Sequence, residues 1–153
     1  MQDSIQIRGD VSIKKWTNGE LVYEDEIKNL VVTNGKNFIA AKLANDNSEG
    51  TAITHMGIGT NSTVPVVGNT ALGIPLTPRQ ALSSTAHTVG NNYSEFTAAF
   101  NGATYAPSTT VYVSEAGLFT NDTSGIMICR TTFGAFPLTS SDIVAITWRL
   151  TVV

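Results

Sequence analysis

Apolar residues near the start of the chain fall on odd positions. Ile5, Ile7, Val11 and Ile13 give one greasy face to a strand, because side chains alternate between the two sides of a sheet. Thr17-Asn18-Gly19-Glu20 interrupts that run. Asn and Gly both tolerate positive φ, so this pair predicts a two-residue hairpin turn. Leu21 and Tyr23 resume the alternation, and residues 4–27 read as a β-hairpin. The period then changes. Phe38, Ile39 and Leu43 share one face at helical spacing, and Thr33 or Asn34 suits the N-cap. This predicts one short helix near residues 34–45, ended by Asn45-Asp46-Asn47-Ser48-Glu49-Gly50.

Strand patterns fill most of the remainder. Ile53 to Ile58 forms a short one, closed by Gly57-Ile58-Gly59. Phe96, Ala98 and Phe100 alternate, and Val111 and Val113 alternate into Glu115-Ala116-Gly117-Leu118-Phe119. A turn at 120–125 precedes a strand from Ile126 to Phe133, and Val144, Ile146, Trp148, Leu150 and Val152 mark a last one. Residues 60–92 are irregular, and Pro65, Pro75 and Pro78 bias them toward extended backbone. Loops of such length in a compact domain are functional or held by a partner. About seven or eight strands with one helix predict a mostly-β chain, an antiparallel β-sandwich or jelly roll, in a single domain over 1–153 with no internal repeat.

A hydrophobic share of 42% suits a packed core rather than disorder. The net charge of -3 argues against nucleic-acid binding, which needs clustered Lys and Arg. No apolar run approaches the ~20 residues of a membrane span. Met1-Gln2-Asp3-Ser4 lacks the basic-then-apolar pattern of a secretion leader, so no export is expected. After residue 50 the only charged side chains are Arg79, Glu95, Glu115, Asp122, Arg130, Asp142 and Arg149. A surface of Thr, Ser, Asn, Gly and Ala can be covered by a neighbouring subunit without burying many charges, although Thr also simply favours strands. This composition predicts a building block that assembles with itself as a symmetric oligomer.

Candidate chemistry is sparse. Cys129 lies in an apolar run and reads as a small buried hydrophobe. His55 and His87 lack metal-spaced partners, G-x-S-x-G is absent, and Gly57-x-Gly59 is not followed by a helix. Arg8-Gly9-Asp10 sits inside a strand pattern, and Glu24-Asp25-Glu26 reads as a solvated face. Glu95 and Glu115 are lone acids amid strands, and two carboxylates are the minimum of a glycosidase, with Trp16 and Trp148 to stack sugars. The stronger reading is a structural ion pair of Glu115 with Arg130 across strands joined by the 120–125 turn. No catalytic, cofactor-binding or metal-binding residue is predicted. Val66, Val67, Leu72, Ile74 and Leu76 make residues 60–92 too apolar for a solvated loop and are the predicted partner contacts. The alternative is that part of this segment folds back as a short helix over the chain's own core.

Several stretches carry a resemblance. Asn29 to Leu43, Ile53 to Thr60 with its Met-Gly-Ile-Gly-Thr, and Asn69 to Leu76 with its Thr-Ala-Leu followed by Arg79 form the first half of it. Val113 to Phe119, Met127 to Arg130, Phe133 and Ile146 to Trp148 form the second. The pattern resembles small virion structural proteins of tailed bacteriophages. The resemblance implies a β-sandwich component of the virion, assembled in the host cytoplasm, with no enzymatic activity and no cofactor. Capsid decoration or cement on the major capsid protein is favoured, because no shaft repeat is present and residues 60–92 suit a clamp. The alternative is a tail, baseplate or fibre component, including a host-glycan-binding module. The symmetry of such particles, together with the charge-poor surface, makes a trimer the first choice, and neither role involves direct contact with nucleic acid or membrane.

Overall fold

The computed structural model describes residues 4–153; residues 1–3, read above for a leader pattern, lie outside the described residues. The described chain forms β1 (Ile7–Thr17), β2 (Glu20–Lys28), β3 (Leu30–Val31), α1 (Thr33–Leu43), β4 (His55–Gly59) and β5 (Gln80–Ala81). It continues with β6 (Ser84–Ala86), β7 (Tyr93–Asn101), α2 (Gly102–Tyr105), β8 (Val111–Phe119), β9 (Met127–Leu138) and β10 (Asp142–Val152). The protein is mostly β, built on two antiparallel five-stranded sheets. One runs β2-β1-β10-β7-β6 and the other β3-β9-β8-β4-β5.

The first hairpin turns as its residues dictate. Asn18 and Gly19 sit at φ of 50° and 84°, the left-handed pair that matches the twist of flanking strands. Val11 and Ile13 of β1, Phe96, Ala98 and Phe100 of β7, and Val144, Ile146 and Trp148 of β10 are all buried on one side of the first sheet. They share a single core with Met56, Ile58, Val113, Leu118, Ile128 and Leu138 of the second. Each large side chain fully buried there contributes roughly 1.5–3 kcal/mol. The long free edge of the first sheet is β2, and it carries the acidic run Glu24-Asp25-Glu26. Like charges on an exposed edge discourage pairing with another such edge.

The structure departs from the sequence reading at several points. There are ten strands among the described residues because β3, β5 and β6, of two, two and three residues, are too short to carry a periodic signal. Two of these lie inside 60–92, so that segment is not wholly irregular. A second helix, α2, is capped by Asn101, whose side chain accepts from Ala103 N at 3.0 Å. The N-cap of α1 is Val32 rather than Thr33 or Asn34, with no side-chain cap bond. Thr33 N donates instead to Val67 O at 2.8 Å. Leu43 is 85% exposed; α1 rests on the second sheet through buried Gly35 and Phe38, with Ile39 partly buried against the core. A Cβ at Gly35 would strike the Ile128 carbonyl, so glycine is what permits that approach.

Candidate functional site

After β4 the chain makes an excursion and returns to the same strand. Thr60 N donates to Ile74 O and Leu76 N to Ile58 O, each at 2.9 Å, so residues 60–76 form a closed flap anchored at both ends. The flap lies over β8 and β9, where it meets a fully buried carboxylate. Glu115 points from β8 with 0% exposure, and a buried charge is tolerated only when its lone pairs are filled. Arg130 on β9 donates to Glu115 Oε2 from Nε at 3.0 Å and Nη2 at 2.9 Å. The flap backbone supplies the rest: Gly73 N donates to Oε2 at 2.9 Å, Ile74 N to Oε1 at 2.8 Å and Asn61 N to Oε1 at 3.3 Å. Arg130 Nη1 reaches on to Asn69 Oδ1 at 3.1 Å, which also accepts from Val66 N at 2.9 Å. The ion pair expected from sequence is therefore also the latch of the flap.

Glycines make the seat. A Cβ at Gly59 would collide with the Glu115 side chain and the Ile74 carbonyl. Gly57 and Gly117 leave bare backbone on which Leu72 lies, with Leu72 Cδ atoms 3.3 and 3.1 Å from where their Cβ atoms would be. The Gly57-x-Gly59 pair thus makes room for a flap. Leu72 is 6% exposed in a cluster with Val32, Phe119 and Met127. A second pin follows: the Arg79 guanidinium sits 3.6 Å from the Phe119 ring centroid and donates to Asn121 O at 3.0 Å and Ser124 O at 2.9 Å.

Leu72 belongs to the chain's own interior, which corrects its place among the predicted partner contacts; Leu76 is half-buried against the main core. The outward side of the flap carries the others. Val66, Val67 and Ile74 are 57%, 50% and 54% exposed, and Val64 beside them is 74% exposed. Next to the flap lies a groove of about 880 Å3 lined by His55, Leu72, Pro75, Arg79, Phe119 and Asp122, among others.

The remaining sequence candidates are scattered. Glu95 is on β7 of the first sheet, where its Oε1 accepts from Arg149 Nε at 2.9 Å, so it and Glu115 belong to different sheets. Every oxygen of Glu115 is occupied by the latch, and it has no free lone pair to serve as an acid or base. His55 Nδ1 shares a hydrogen with Thr54 Oγ1 at 2.8 Å, and His87 Nδ1 with Tyr93 O at 2.9 Å. Cys129 is fully buried, and desolvation pushes its thiol far up. Trp148 lies in the core, while Trp16 is half-buried on the other side of the first sheet. Among the described residues no cluster of three His, Cys, Asp or Glu side chains could hold a metal ion, and no helix is long and apolar enough to cross a membrane. The sequence assigns no role to Asn61, Asn69 or Arg79; the Thr-Ala-Leu stretch followed by a basic residue is the only trace of the last two, and Asn61 lies outside it. No protein-family model matches this chain, and no curated protein is significantly similar to it.

Proposed function

We propose that this chain is a structural protein of a tailed-bacteriophage virion, a capsid decoration protein that stabilises the shell through protein–protein contacts. In this reading its two sheets face each other as a β-sandwich. One observation carries it: the flap at 60–76 is latched by Glu115 and Arg130 yet presents Val64, Val66, Val67 and Ile74 to solvent. A solvated loop gains nothing from such side chains. A docking element gains a rigid apolar surface whose ordering cost is already met within the fold. The partner is the shell protein beneath, in keeping with the resemblance of the chain to small virion proteins. The experiment is incorporation: a Val66→Ser, Val67→Ser, Ile74→Ser triple variant keeps its melting temperature but is depleted from assembled particles. Normal incorporation of that variant would remove the flap from the account.

A further inference from the structure

The face of the first sheet that points away from the core carries a ladder of alternating charge. In register across four strands stand Lys28 on β2, Asp10 on β1, Arg149 on β10 and Glu95 on β7. Lys28 pairs with Asp10, and Arg149 Nη2 lies 2.5 Å from Glu95 Oε1. The sequence of signs is plus, minus, plus, minus. Such a row, read backwards, is its own complement.

We infer that this face binds a second copy of the chain about a two-fold axis parallel to the strands and midway between β1 and β10. That rotation keeps each cross-strand row in place and reverses its order. Lys28 then meets the second copy's Glu95, and Asp10 meets its Arg149. The neighbouring rows are compatible. Ser12 and Thr147, register partners within the chain, face one another across the axis as small hydroxyl side chains. Lys14 keeps Glu24 of its own chain at 3.7 Å and faces only Ala145. Trp16 faces Ile143, which is 50% exposed, so two apolar groups close one end of the contact. A shallow hollow of about 430 Å3 lined by all four ladder residues, with Ser12 and Thr147 among others, leaves space for the long side chains of the facing copy. The four strands, of nine and eleven residues, at ~4.8 Å between strands and ~3.3 Å per residue, present about 630 Å2, against the ~800 Å2 per partner of a standard interface. The contact is isologous and closes at two copies, unlike the trimer expected from the charge-poor surface and particle symmetry. It uses the sheet opposite the flap and stands whether or not the flap docks on a shell.

Sedimentation equilibrium of the full chain tests this with three proteins: the native chain, Asp10→Arg and Arg149→Asp. The native chain dimerises. Either reversal alone puts like charges across the axis and weakens the dimer by at least about tenfold. An equimolar mixture of the two variants restores it, because the arginine introduced at position 10 of one then faces the aspartate introduced at position 149 of the other. The double variant Asp10→Arg with Arg149→Asp, whose row reads plus, plus, minus, minus, is again self-complementary and dimerises; it guards against a reversal that merely unfolds the chain. A native chain that stays monomeric to about 500 μM, that forms trimers, or whose dimer ignores both reversals overturns the inference, as does a mixture that fails to recover.

Discussion

Arg130 reaches Glu115 with two nitrogens but only one of its carboxylate oxygens, Oε2; the other, Oε1, is left to the backbone N–H groups of Asn61 and Ile74. The division matters. The arginine neutralises the charge, and the flap completes the hydrogen bonding. Neither is satisfied without the other, so the latch couples the ion pair to the placement of residues 60–76.

Removing one partner strands a buried charge. Arg130→Met is expected to cost about 3–5 kcal/mol in denaturant unfolding, and adding Glu115→Gln should recover part of it. Hydrogen exchange gives the sharper reading: the Gly73 and Ile74 amides should lose protection in Arg130→Met before the amides of β10 do.

Gly59→Ala tests the seat of the flap. Its Cβ has no room beside Glu115 and the Ile74 carbonyl, and backbone cannot swing aside as a long side chain can. A loss of about 1–3 kcal/mol is expected from thermal unfolding. Gly134→Ala, where nothing lies within 4 Å, is the matched control and should leave stability unchanged.

Leu72 and Ile74 separate interior from surface. Leu72→Ala empties a buried site and should cost roughly 2–5 kcal/mol, whereas Ile74→Ser on the exposed side should stay within about 0.5 kcal/mol. Equal losses for both would place Ile74 in the core.

Asp142 supplies an acid limb. Burial pushes its carboxyl up, but bonds from Thr17 and Thr139 and the nearby Lys15 outweigh that and hold it below the usual aspartate range. A depressed folded pKa contributes stability above the unfolded value, about 4, that is lost as pH falls through the folded one. The native chain should therefore lose stability as pH drops from about 4, and Asp142→Asn should flatten that slope. An unchanged slope in the variant would assign the acid sensitivity to other carboxylates.

Local chemistry made part of this fold legible. Asn18-Gly19 encodes its turn without outside help, and Glu115 and Arg130 stood out as isolated opposite charges on strands joined by a short turn. What stayed hidden depends on the path of the chain in space. Hydropathy does not distinguish Leu72 from Ile74; the bare backbone at Gly57 and Gly117 decides which one turns inward. Leu43 fits the helical period with Phe38 and Ile39, yet those two pack against the core while Leu43 stays in solvent, and the period does not reveal where the contact ends. The donors that fill Glu115 are backbone N–H groups of a distant segment, and those carry no side-chain signature at all.

The proposed virion role is tested most directly by electron microscopy of purified particles of a phage that carries the gene for this chain. The account predicts many symmetrically placed copies on the shell, each with Val64, Val66 and Val67 buried against the underlying protein. Particles that lack the chain, or that carry it with this flap facing solvent, would contradict it.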